Sequence, residues 1–166
     1  MPTTYEPIAT TTLGTAASSI TFSSIPATYT DLRLVGFHLG STFGYPAIQF
    51  NSDTASNYST THIRGSGTAA ASSYETNVTY IDIEVNNGST STISGLATID
   101  IFSYAGSTFK TSLCTGNQDK AGGGSVYRTV GLWRSTSAIT SVTFLTIGGN
   151  NFAAGTTATL YGIKNA

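Results

Sequence analysis

Apolar and polar side chains alternate along short stretches of this chain, the period-2 signature of strands with one buried face. Ile81, Ile83 and Val85 share one face of the run Val78–Val85, and Tyr80, Asp82 and Glu84 share the other. A one-residue slip there would turn the acids inward, so the register is expected to be firmly held. Ala97, Ile99 and Ile101 likewise oppose Thr98, Asp100 and Phe102. Thr140–Ile147 is apolar on both faces, with Val142 and Phe144 against Leu145 and Ile147, which predicts a central strand or one covered by a partner chain. The same pattern predicts strands over Ile8–Leu13, Ser19–Phe22, Asp31–Leu39, Ala47–Asn51, Ser59–Arg64, Ile93–Tyr104, Phe109–Thr115, Val126–Arg134 and Thr157–Lys164. No 3.6-residue period persists for three turns.

Turn chemistry punctuates these runs. Asn87-Gly88 tolerates positive φ at both residues and predicts a hairpin between Val78–Val85 and Ile93–Tyr104. Gly148–Asn151 predicts a reversal before the last strand, and Gly122–Gly124 a flexible lead into Val126–Arg134. Thr54–Gly67 and Gly65–Ser73 are rich in small polar residues and read as surface loops. Pro2, Pro7, Pro26 and Pro46 interrupt no well-patterned strand. The expected architecture is all-β, an antiparallel two-sheet β-sandwich of jelly-roll type, formed as a single domain over residues 1–166.

Composition narrows the function. Ser and Thr supply 51 of 166 residues and charged residues only 9%, which disfavours long surface helices. Hydrophobic residues reach 39%, with nine Tyr, eight Phe and one Trp, enough packing mass to exclude polyelectrolyte disorder. The net charge of −1 provides neither a nucleic-acid footprint nor a polybasic membrane patch. No run approaches the ~20 apolar residues of a spanning helix. The first residues show no cationic start followed by an apolar run, so no secretory signal is read. Cys114 is the only cysteine; it reads as a small inward hydrophobe, consistent with synthesis in a reducing cytosol.

Reaction chemistry is thin. His38, in LVGFHLG, reads as a core histidine, and neither it nor His62 has a second ligand at metal spacing. His62 and Arg64 fall on one side of their strand and are candidate partner contacts. Asn51, Asp53 and Asn57 form a thin calcium-like loop, better read as Asx-turn capping. Asp82, Glu84 and Asp100 are imaginable as a glycosidase-type acid pair, but read as solvated positions on alternating strands. The glycine clusters match neither a nucleophile elbow nor a phosphate loop. Trp133, beside Arg134, reads first as packing and second as a sugar platform. The chain is therefore expected to be non-enzymatic and to use no cofactor or metal.

Three segments carry a resemblance. They are YEPIATTTLGTAASSITFSSIPATYTDLRLV (Tyr5–Val35), FNSDTASNYSTTHIRGSGTAAASS (Phe50–Ser73) and LWRSTSAITSVTFLTIGGNNFAAGTTATLYGIK (Leu132–Lys164). Together they resemble small structural proteins of tailed bacteriophages, notably marine and cyanobacterial ones. The ending LYGIK after GNNFAAG is the most specific element. The resemblance implies a virion β-sandwich and transfers no site residue. The expectation is a virion structural protein, foremost a capsid decoration or cement protein on the particle exterior. Its partners would be the major capsid protein or other virion proteins, with a homo-oligomer, a trimer first, as its assembly state. The alternative is a tail-fibre or spike component binding host glycans through residues such as His62, Arg64, Trp133 and Arg134.

Overall fold

The computed structural model describes residues 4–40, 44–83, 93–119 and 122–164. Among them the chain forms twelve strands: β1 (Tyr5–Thr12), β2 (Ser19–Phe22), β3 (Asp31–Leu39), β4 (Tyr45–Phe50), β5 (Tyr58–Gly65), β6 (Ala70–Val78), β7 (Ile81–Asp82), β8 (Ser94–Phe102), β9 (Lys110–Asp119), β10 (Gly124–Trp133), β11 (Val142–Ile147) and β12 (Thr157–Ile163). Alternation decides what turns inward. In β3, Leu32, Leu34, Gly36 and His38 are buried while Val35 and Phe37 face solvent. In β8, Ala97, Ile99 and Ile101 are buried, as their spacing predicts.

All pairings are antiparallel and fall into two sheets. The larger runs β1-β12-β3-β8-β9-β10-β5-β6 and the smaller β2-β11-β4-β7. The pairings are nested: β1 joins β12, β2 joins β11, β3 joins β8, and β4 joins β7. These eight strands form one long antiparallel hairpin folded over, with alternate pairs in opposite sheets. Pairings of β12 with β3 and β11 with β4 lock the fold-over. Two further hairpins are added at one side: β9–β10 extends the large sheet from β8, and β5–β6 extends it from β10.

The core lies between the sheets. Phe144 of the small sheet stacks on Phe152 with ring centroids 4.8 Å apart. A Cβ placed on Gly36 of the large sheet would stand only 3.1 Å from the Phe144 ring. His38 is fully buried edge-on to Phe144, as a core histidine. At a sheet corner, the buried Tyr104 hydroxyl donates to the Pro26 carbonyl and accepts from the Tyr29 N–H at 3.3 Å. Leu160 is buried on the inner face of β12, and Ile163 is half-buried on the outer one.

Gly131 sets how closely β7 approaches the extension. A Cβ there would meet Ile81 Cγ2 at 2.5 Å and Ser112 Oγ at 2.8 Å. Gly131→Ala is expected to cost about 2 kcal/mol by overpacking. A denaturant midpoint equal to that of the wild type would show that β7 shifts without penalty.

Several expectations need correction. Gly65–Ser73 is not wholly a loop: β6 begins at Ala70 and pairs with β5 along its length. Eight of its nine residues are exposed, so neither face leaves an apolar stripe to read. Val78–Val85 is not one strand, because β6 ends at Val78 and the chain turns before the two-residue β7. β7 pairs with β4, while β8 pairs with β3 and β9, so among the described residues these runs form no hairpin. Asp82 is not a solvated face residue; it is buried. The Asn87-Gly88 turn, Glu84 and Val85 lie outside the described residues. The central position of β11, between β2 and β4, matches its two-sided apolar pattern.

Candidate functional site

Two surfaces combine residues from several strands. The first is the outer face of the large sheet. Its register aligns Phe37, Leu96, Asn117 and Val126 in one row. A second row runs Val35, Thr98, Thr115, Arg128, Ile63 and Ser72. A third runs Tyr161, Arg33, Asp100, Leu113, Val130, Thr61 and Tyr74. Ile63 is 61% exposed, Val126 60% and Val130 49%. β-branched side chains suit a strand, but hydrophobic ones on an open face remain in water. At the β5–β6–β10 end Ile63 and Val126 line a largely apolar groove of about 750 Å³ together with Gly65, Ala70, Ala71 and Arg128.

Polar groups on this face are largely tied down. Arg33 donates from Nε to Asp100 Oδ1 at 2.5 Å and from Nη2 to Oδ2 at 2.9 Å. The hydrogen bonds to Asp100 hold the guanidinium pKa above its ordinary value despite partial burial. Arg128 Nη1 donates to Thr115 Oγ1 at 2.6 Å. With its charged groups paired or hydrogen-bonded, the face presents several exposed apolar side chains, Val35, Phe37, Leu96, Ile63, Val126 and Val130, interspersed with Thr, Ser and Asn. Exposed apolar area of this kind is a candidate interaction surface.

The second surface is a cleft of about 550 Å³ between the hairpin extension and the edge of the small sheet. Tyr45, Tyr80 and Tyr127 line it with Arg64, Glu75 and Asp82. Burial, and then the nearby Asp82 and Glu75 charges, push the Tyr80 hydroxyl above its ordinary pKa, so it stays a neutral donor. Aromatic rings beside carboxylate acceptors and guanidinium donors form a set suited to polyhydroxylated ligands. Five strands and the turn before β7 contribute these residues, so no sequence motif announces the cleft.

Of the residues singled out from sequence, only Arg64 reaches both surfaces. His62 turns inward and is buried, with Nε2 at 3.1 Å from Ser73 Oγ. Trp133 is 2% exposed and stacks on Tyr58 with centroids 6.2 Å apart, which leaves no ring face for a sugar. Arg134 ties the loop before β5 to the end of β6, donating to Ser56 O at 2.5 Å and Asn77 Oδ1 at 2.8 Å. Asp53 is the Asx cap its spacing predicts: Oδ1 accepts from the Ala55 N–H at 2.9 Å, and Oδ2 accepts from Asn57 Nδ2 at 3.0 Å and Trp133 Nε1 at 2.7 Å. Asp82 and Asp100 lie on different sheets and do not face each other as an acid pair. Cys114 is fully buried, and burial pushes its thiol up to about 12, so it is inert at neutral pH.

Sequence reasoning missed Lys110. Its side chain is buried, and Nζ donates to Gly106 O at 2.7 Å, Thr108 O at 2.5 Å and Thr136 O at 3.4 Å. Burial lowers its pKa. It is a structural clasp for the 103–109 turn, and a lysine opening a β run gives no signal of that role. Comparison of the chain with protein-family models, with curated proteins and with solved structures finds no match, so a functional reading stands on these surfaces and on the resemblance of the sequence.

Proposed function

We propose that the chain is a non-enzymatic structural protein of a bacteriophage particle, a decoration protein seated on the capsid exterior. The observation that carries this reading is the outer face of the large sheet, whose apolar side chains, Phe37, Leu96, Ile63, Val126 and Val130 among them, stay exposed among the described residues. Such a face is suited to adding buried contact area to a neighbour, here the major capsid protein or another virion protein. Many copies on a symmetric particle would bind by avidity, so each contact need only be modest. The nested eight-strand framework supports a jelly-roll reading, a fold that carries added hairpins without losing its core.

Ile63→Asp combined with Val130→Asp tests the assignment. Both side chains are exposed, so the variant is expected to fold with an unchanged melting temperature. Replacing two apolar side chains that an interface would bury should weaken binding to particles stripped of the protein by about a hundredfold or more. Undiminished binding by this variant would remove the outer face from the account.

A second reading, a tail-fibre or spike component that binds host glycans, is favoured by the tyrosine-lined cleft. Blocking of host adsorption by the free protein, relieved by Tyr80→Ala, would select this reading over the first.

A further inference from the structure

We propose that two copies of this chain join edge to edge through β6, continuing the large sheet across a two-fold axis at Ser73. This deepens the reading of the chain as an assembling structural protein by naming its partner as a second copy.

Four sheet edges are present among the described residues, and three are blunted. β1 carries Pro7 and a bulge between Pro7 and Ala9. β2 is four residues long. β7 is two residues long and buried. These are the usual devices against edge pairing. β6 carries a bulge only at its far end, where Asn77 is the extra residue between the partners of Tyr58 and Ser59; from Ala70 to Thr76 it keeps a regular register, contains neither Pro nor Lys, and is exposed. A strand of this kind offers its outer row of N–H and C=O groups to another strand.

The side chains favour a second copy over an unrelated strand. An antiparallel pair centred on Ser73 is isologous, so every contact occurs twice. In that register Glu75 stands opposite Ala71 of the partner copy, behind which β5 places Arg64. Arg64 and Glu75 are both exposed, and among the described residues neither makes an ion pair within its own chain. They would be two strand spacings apart, roughly 10 Å between Cα atoms. An arginine and a glutamate span that distance when only an alanine lies between. On the outer face, Tyr74 stands opposite Ser72 of the partner copy, behind which lies Ile63. Tyr74, at 75% the most exposed large aromatic among the described residues, thereby reaches Ile63, at 61% the most exposed large aliphatic one among them. The symmetry is two-fold, in contrast to the trimer expected from the resemblance.

Sedimentation of the full chain over a wide concentration range is expected to show a species of twice the chain mass. Glu75→Arg or Arg64→Glu alone should raise the dimer dissociation constant about tenfold or more, and the double charge swap should restore it. Ser73→Cys should cross-link to a covalent dimer under oxidation, because antiparallel partners stand about 4.5–5.5 Å apart. Ser107→Cys, in an exposed turn remote from β6, should not, and Cys114 is too buried to compete. A single-chain mass at every concentration with Ser73→Cys uncrosslinked would overturn the pairing. So would an oligomer that ignores both charge reversals. Binding to stripped particles, measured on the same variants, reports separately on the capsid assignment, which can stand if the pairing falls.

Discussion

Phe144→Ala is expected to remove about 4 kcal/mol of stability, a large part of what a domain of this size holds in reserve. Phe144 stands at the centre of the small sheet and is fully buried. One side of its ring packs against the backbone at Gly36, the other stacks on Phe152, and His38 meets it edge-on. Backbone and two other rings surround it, so the space it leaves cannot close by a simple rotamer change, and a cavity term adds to the lost transfer energy. Equilibrium denaturation checks the value. A loss below about 1 kcal/mol would mean that the sheets collapse onto the gap.

Asp53→Ala is expected to cost about 3 kcal/mol, although the residue sits in a loop. Its carboxylate takes hydrogen bonds from the Ala55 N–H, from Asn57 and from the buried indole of Trp133, while its own carbonyl accepts from the Tyr58 hydroxyl. Alanine leaves the indole N–H without an acceptor at a site water scarcely reaches. Burial alone would raise the Asp53 pKa; the hydrogen bonds from Asn57, Trp133 and Ala55 outweigh it and hold the carboxyl below the ordinary carboxylate value. The sign follows from linkage. The folded state favours the ionised form, so this contribution is fully present above the ordinary carboxylate pKa and disappears as pH falls through the lowered folded one. Asp53→Asn keeps one acceptor and should cost less, but should flatten the loss of stability in acid. An Asp53→Asn protein with the acid sensitivity of the parent would place that sensitivity elsewhere.

Strands with one wet and one dry face were legible in advance. β3, β8 and β12 lie close to where alternation puts them, because each is covered on one side by the opposing sheet, and β11 was legible from its two-sided apolar pattern. β6 was illegible for the opposite reason: at the sheet's end nothing covers it, so its composition matches a loop. His62 and Asp82 misled in a related way. His62 lies in a polar stretch and Asp82 on the polar side of an alternating run, so both read as surface, yet the hairpin extension and β7 pack together and bury both. Trp133 beside Arg134 suggested a contact site, but only the fold shows that Asp53, eighty positions earlier, takes up the indole N–H. The cleft was beyond reach altogether, since its tyrosines belong to segments that meet only after both sheets have formed.

The nested pairing has a consequence for how the chain reaches this state. β1 is completed only by β12, for Tyr5 lies opposite Ile163 and the Thr4 carbonyl accepts from the Lys164 N–H at 3.1 Å. Until β12 has left the ribosome, β1 has no mate, and the pairings that lock the fold-over join segments far apart in the sequence. Long-range pairing of this kind slows folding, which cannot finish before β12 is available.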